Sequence, residues 1–207
     1  MIAEWLPNLA LGWGVQWLGV LSPGPGVALI LATATTSGRR PAVITCLGIA
    51  AGSAILAFAA VIGLATLLAE IAWAMLAVKL AGAAFLAWLA WKSFGRMMEP
   101  PGVPTAKAPR AGHPAAVGLA MQLTNPKAIL YWVAAAAVAG LETAPWPVLA
   151  LFIAGGGLNS FTGHGLWALG LSSAPFRAAY SRFRRWIEGA LGAFFAFAAY
   201  KLATSET

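Results

Sequence analysis

Residues 5 to 37 read WLPNLALGWGVQWLGVLSPGPGVALILATATTS, a run of thirty-three residues without a charged side chain. As one continuous helix it would be about 50 Å long at 1.5 Å per residue, against roughly 30 Å of bilayer hydrocarbon. Something has to interrupt it, and Ser22-Pro23-Gly24-Pro25-Gly26 does. Pro23 and Pro25 lack N–H donors and would clash with the carbonyls of Gly19 and Leu21, while the glycines permit sharp turns. Ser22 before Pro23 has the form of a helix start, a capping side chain followed by proline at the first helical position. The stretch is therefore expected to be a membrane-spanning segment broken into two half-helices.

The rest of the chain agrees. Apolar segments fall near 42–68, 72–94, 114–140, 146–171 and 186–203, which with the first makes six crossings. Thirteen Lys and Arg against six Asp and Glu give a net charge of +7, yet 9% of positions are charged and 60% hydrophobic. Residues 41 to 91 hold only Glu70 and Lys79, and residues 111 to 176 only Lys127 and Glu142. A soluble domain carries about 25% charged residues, and a nucleic-acid surface needs a dense basic face, so both classes are set aside. The single cysteine, Cys46, excludes an internal disulfide and a cysteine-based metal cluster. No metal site and no cofactor are expected. Gly155-Gly156-Gly157 lies inside an apolar segment and is no phosphate loop. The amino terminus carries Glu4 where a secretory signal has basic residues, and is expected to be retained.

Orientation follows from positive charge, which short loops keep on the cytoplasmic side. The first connection carries Arg39 and Arg40, the third Arg96, Lys107 and Arg110, and the fifth Arg177, Arg182, Arg184 and Arg185, whereas the second and fourth carry Glu70 and Glu142. Both termini are thus expected outside. Trp5, Trp73, Trp91, Trp146 and Trp186 sit near segment ends, where an indole bridges lipid and headgroup water.

Five prolines from Gly95 through Pro114 mark a cytoplasmic linker. The chain is one transmembrane domain over 1–207, with a first half 1–94, a linker 95–113 and a second half 114–207. Each half has three crossings, so a repeat between them must be inverted. An offset of 101 places Pro25 on Pro126, although the sixth segment starts about ten residues late for it. The fourth segment is broken like the first, at Thr124-Asn125-Pro126-Lys127, where Asn125 would cap a new helix and Pro126 would release the carbonyl of Gln122. Half-helix N-termini at membrane depth offer unpaired N–H groups and positive dipole ends suited to a carboxylate. A substrate site is expected between the breaks, at Ser22, Pro23, Gly24, Pro25, Gly26, Gln122, Asn125, Pro126 and Lys127; the alternative is that the prolines merely kink packed helices.

The motifs Ser22-Pro23-Gly24-Pro25, Gly38-Arg39-Arg40, Leu47-Gly48-Ile49-Ala50-Ala51-Gly52, Lys79-Leu80-Ala81-Gly82-Ala83-Ala84-Phe85-Leu86 and Asn125-Pro126-Lys127-Ala128 occur in order. In this set the chain resembles the lysine-exporter superfamily of small amino-acid exporters, which includes homoserine and threonine exporters. The resemblance covers most of the chain. It implies a prokaryotic inner-membrane efflux carrier for amino acids or close derivatives, driven by the proton gradient or the membrane potential. Where the family often has Asn or Asp after Pro-Gly-Pro, this chain has Gly26.

Other polar residues carry two readings each. Lys127 lies too deep to reach the interface and either attracts a substrate carboxylate or serves freed carbonyls such as that of Gln122. Lys79, about 9 Å from the outer boundary, could extend to it. Segment five holds Asn159, Ser160, Thr162 and His164, with Ser160 and His164 on one helical face. His164 is a candidate proton carrier, with no intramembrane Asp or Glu expected to compete, or else a neutral histidine bonded to a neighbour. Gly48 and Gly52 are a small-residue packing contact. No paired carboxylates, metal-spaced histidines or nucleophile with a base point to an enzyme. The expected fold is an all-α membrane protein of six transmembrane helices in two inverted three-helix repeats, helices one and four broken at their proline motifs. The expected function is secondary export of a small molecule, with a channel or structural subunit as the alternative. Its partners would be that small-molecule substrate and membrane lipid, not nucleic acid, with a homo-oligomer left open.

Overall fold

A computed structural model describes residues 2–70, 74–103, 112–141 and 143–204, the side chains of 64–70, 74, 75, 78 and 79 excepted. Trp73, Lys107, Arg110 and Glu142, used above to place segment ends and orientation, lie outside the described residues, as do the side chains of Glu70 and Lys79. Among the described residues the chain is all helical. A 3-10 turn at Ala3–Trp5 leads into α1 (Leu6–Leu21), α2 (Pro25–Thr36), α3 (Arg39–Glu70), α4 (Ala74–Met97), α5 (Pro114–Thr124), α6 (Pro126–Ala139), α7 (Trp146–Leu171) and α8 (Ala174–Thr204).

Both expected interruptions are present, for reasons local to proline. A residue before proline is pushed out of the helical region. Ser22 precedes Pro23 and adopts ψ 114°, and Gly24 precedes Pro25 and is fully extended, so two successive steps leave the helix and α1 meets α2 at a 48° bend. This corrects the expected cap. Ser22 closes α1, donating its N–H to the carbonyl of Leu18, and α2 starts behind Gly24 with Pro25 as its first helical residue and without a side-chain cap. At the second interruption one proline leaves one extended residue, Asn125, whose side chain accepts the N–H of Lys127 at 3.1 Å.

Two further expectations change. The Arg177–Arg185 run is not a loop: α8 begins at Ala174 and carries these arginines on its first turns, with Arg182 and Arg185 over the rings of Phe183 and Trp186. Arg39 and Arg40 lie in the first turn of α3, the connection before them being Ser37 and Gly38, where φ is +94°.

The apolar core encloses a set of polar side chains, and large apolar side chains also cover the exterior. Gln16, Ser22, Thr45, Ser53, Gln122, Ser160, His164 and Glu188 are buried, while Leu11, Leu47, Ile55, Phe58, Leu158, Leu166 and Phe197 face outward. Such an exterior suits lipid and not water. By length and hydropathy, α3 over Arg39–Gly63 is able to cross a membrane, as is the bent pair Ala3–Leu21 with Pro25–Thr36. The α3–α5 crossing is close because it is built on glycine. A Cβ on Gly48 would run into the backbone of Ala115, and one on Gly118 into that of Thr45, while Gly52 lies against Gln122.

Two apolar clusters make up the core. In one, Ile30, Ala42, Trp167, Leu171 and Tyr180 pack together with Val103 against them. In the other, Leu9, Val61, Ala139, Leu141, Val148 and Leu202 pack with Trp5 and Ala144. Both reach the interruptions, the first through Val27 and the second through Tyr131 and Trp132.

Candidate substrate site

The interruptions face one cavity of about 60 Å³. The first contributes Ser22, Gly24, Pro25 and Gly26, the second Gln122, Asn125 and Lys127; Gln16, Ser53, Tyr131 and His164 complete the polar lining. At about 30 Å³ per water this space holds roughly two waters, so an amino acid enters it only if the lining moves. Pro23 turns away and lines a neighbouring cavity with Arg96, Glu99 and Arg184. Pro126 is absent from the lining and acts through the backbone as the first residue of α6.

Lys127 joins the two interruptions. Its Nζ donates to the backbone carbonyl of Ser22 at 3.1 Å and lies beside Gly24. The freed carbonyl it serves is therefore across the cavity, whereas the carbonyl of Gln122 accepts the N–H of Asn125 at 3.3 Å. Ser22 is held a second time, its Oγ accepting from Arg96 Nη2 at 3.2 Å. Arg96 also donates to Ser93 Oγ at 3.0 Å and through Nε to Glu188 Oε1 at 2.9 Å. Glu188 is fully buried. Glu188 is the third residue of segment six as read from the sequence, so a carboxylate does stand in a segment expected to hold none. Two cations and one anion thus converge on the first interruption.

A second network runs from Gln122 to His164. Gln122 Nε2 donates to Ser53 Oγ at 2.8 Å, and Ser53 Oγ lies 2.8 Å from Ser160 Oγ. His164 Nδ1 is 2.9 Å from the carbonyl of Ser160 and 3.3 Å from its Oγ. A carbonyl only accepts, so Nδ1 carries the proton and Nε2 is left as an acceptor. Nε2 faces Gly26, where a Cβ would stand 3.2 Å from it. Ser160 supports the site without lining it, and Asn159 is half-buried outside the lining.

Sequence reasoning missed Gln16, Ser53, Tyr131, Arg96 and Glu188 as parts of one assembly. Gln16 and Glu188 had a legible signal, each a lone polar residue in an apolar run. The others are brought in by packing: Tyr131 donates its hydroxyl to the carbonyl of Val15 and lays its ring on Gly19.

A family model described as LysE type translocator matches residues 17–206. The threonine efflux protein of Escherichia coli strain K12 is 28% identical over 193 residues, covering 88% of this chain and 90% of the relative. The uncharacterized membrane protein YahN of the same strain is 32% identical over 189 residues, covering 87% and 82%. The leucine efflux protein of Klebsiella pneumoniae is 33% identical over 115 residues, covering 55% and 54%. No solved structure matches. With a polar cavity between two broken helices and a family match over nearly its whole length, the chain belongs to the LysE type translocator family.

Proposed function

We propose that this protein is a secondary transporter of the bacterial inner membrane that exports amino acids or close derivatives, coupled to the proton gradient or the membrane potential. The observation that carries this reading is the bond from Lys127, at the start of α6, to the Ser22 carbonyl at the end of α1. A substrate carboxylate can replace that carbonyl as the acceptor. The same carboxylate would meet the first-turn N–H groups of Gly26, Val27 and Ala128, where the helix supplies few acceptors of its own and the dipole is positive. Arg96 and Lys127 against Glu188 leave one positive charge in excess, and the carboxylate balances it. Losing the Lys127 bond frees the α1–α2 bend, so binding and opening become one event. His164 Nε2, bordering the same cavity, is positioned to take up and release the coupled proton.

Six crossings in two inverted halves, with both termini outside, fit this mechanism. Pro25 and Pro126, the first residues of α2 and α6, stand 101 apart, and α8, which contains the arginine run, starts at Ala174. Exchanging the halves turns α3–α5 into α7–α1 and α2–α7 into α6–α3, and all four pairs pack, whereas α2–α3 and α4–α6 pack without comparable contact at their counterparts α6–α7 and α2–α8. Arg39 and Arg40 at the start of α3, Arg96 at the end of α4 and Arg177 to Arg185 in the first turns of α8 support those helix ends being cytoplasmic.

Reconstituted protein tests the reading. Labelled L-threonine or L-leucine should cross proteoliposomes saturably and accumulate under an imposed pH gradient, and His164→Gln should retain exchange while losing accumulation. Gradient-driven accumulation in the His164→Gln variant would remove His164 from the coupling. In a chain freed of Cys46, cysteines at Glu70 and Glu142 should react with an impermeant reagent on whole cells and one at Arg40 should not; the reverse would overturn the orientation.

A further inference from the structure

Gln16 has no part in the carboxylate site, yet it is built into the same cavity. It lies on α1, is 3% exposed, and comes from a helix otherwise apolar between Leu9 and Leu21. Its Nε2 donates to the carbonyl of Gly156 on α7 at 2.8 Å. That bond fixes which way the amide faces, because a carbonyl can accept from the NH2 group alone. The other end, Oε1, is buried without a hydrogen-bond partner among the described residues. An amide oxygen held in this way asks for a donor, and buried polar groups without partners are rare enough to need an explanation.

The surroundings say what kind of donor. Gly19 and Val20, in the last turn of α1, line the cavity beside Gln16. The C-terminal end of a helix carries the negative end of its dipole and unpaired carbonyls, which favour a cation. Three carbonyls of this region are already taken, Val15 by Tyr131, Val20 by Trp167 at 3.1 Å and Ser22 by Lys127. Gln16 Oε1 is a further acceptor near this negative end, without a partner among the described residues. Positive helix ends and Lys127 border the same cavity, at the starts of α2 and α6. One cavity thus presents groups suited to an anion and groups suited to a cation.

We infer that Gln16 Oε1 accepts a hydrogen bond from the α-ammonium group of the transported amino acid, making the site selective for zwitterions over simple carboxylic acids. The inference rests on the carboxylate site proposed above. Its test separates the two by deleting one charged end of the ligand at a time. Competition against labelled substrate in proteoliposomes would use L-threonine and L-leucine, the same acids without the amino group (3-hydroxybutanoate and 4-methylpentanoate), and the two amides. In the unmodified protein, the deaminated acids should compete at least tenfold more weakly than their parents. Gln16→Leu should bring each acid and its parent within about twofold. Gln16→Glu keeps the acceptor but loses the bond to Gly156, and should retain the tenfold preference. Equal competition by parent and deaminated acid in the unmodified protein would overturn the inference, as would an unchanged preference in Gln16→Leu. Loss of the preference in Gln16→Glu would also overturn it, since the role would then lie in the Gly156 bond. Weak competition by the amides belongs to the carboxylate site alone, so the two readings fail separately.

Discussion

The two interruptions look alike in sequence and are held in opposite ways. The second is self-contained. One residue leaves the helix, and Asn125 caps the new helix with its own side chain. The first spans three residues, Ser22 to Gly24, has no cap of its own, and is fastened from outside by Arg96 on the Ser22 hydroxyl and Lys127 on the Ser22 carbonyl. A helix start that satisfies itself is a fixed platform. One that depends on the side chains of other helices can be released when those side chains find another partner. The first interruption is therefore the moving part of the proposed carrier, and the second is the part it moves against.

The largest expected effect comes from the external fastening. Glu188→Leu leaves Arg96 without its buried partner, and breaking such a pair costs about 3 to 5 kcal/mol. Denaturant unfolding in detergent should show that loss, and Arg96→Met combined with Glu188→Leu should recover most of it. Recovery would place the cost in the charge left unpaired on Arg96; failure to recover would place it in packing around Glu188. Lys127→Met comes next. It should weaken binding of an amino acid by about 1.5 to 3 kcal/mol, the range for a hydrogen bond to a charged group, while barely changing binding of the amide. Competition in proteoliposomes measures both.

Smaller effects distinguish the two helix starts. Asn125→Ala removes a working cap and should cost about 1 kcal/mol of stability. Ser22→Ala should cost less, below about 1 kcal/mol, because Arg96 keeps Glu188 and Ser93 and the backbone carbonyl still serves Lys127. Thermal unfolding of the two variants side by side would reverse the comparison if Ser22→Ala proved the more damaging.

How much of this was legible in the sequence follows the range of the interactions. Proline acts on its immediate neighbours, so both interruptions and the Asn125 cap could be read from the residues. The misplaced cap at Ser22 came from counting one proline where two act in series, Pro25 forcing Gly24 out of the helix as Pro23 forces Ser22. The start of α8 was hidden because an arginine-rich stretch resembles a loop until its cations are seen over Phe183 and Trp186 on helical turns. Arg96 and Glu188 are 92 residues apart, and Lys127 and Ser22 are 105 apart. Nothing local announces such pairs, and the single polar positions at Gln16 and Glu188 were the trace they left.

The central claim is that both interruptions receive one carboxylate, and comparing an acid with its amide in the unmodified protein addresses it most directly. L-Threonine and L-threoninamide would compete against labelled amino acid in proteoliposomes, with L-leucine and L-leucinamide in parallel. Losing about 1.5 kcal/mol of charge-assisted bonding corresponds to roughly tenfold. The account predicts that each amide competes at least tenfold more weakly than its acid; equal competition would contradict it.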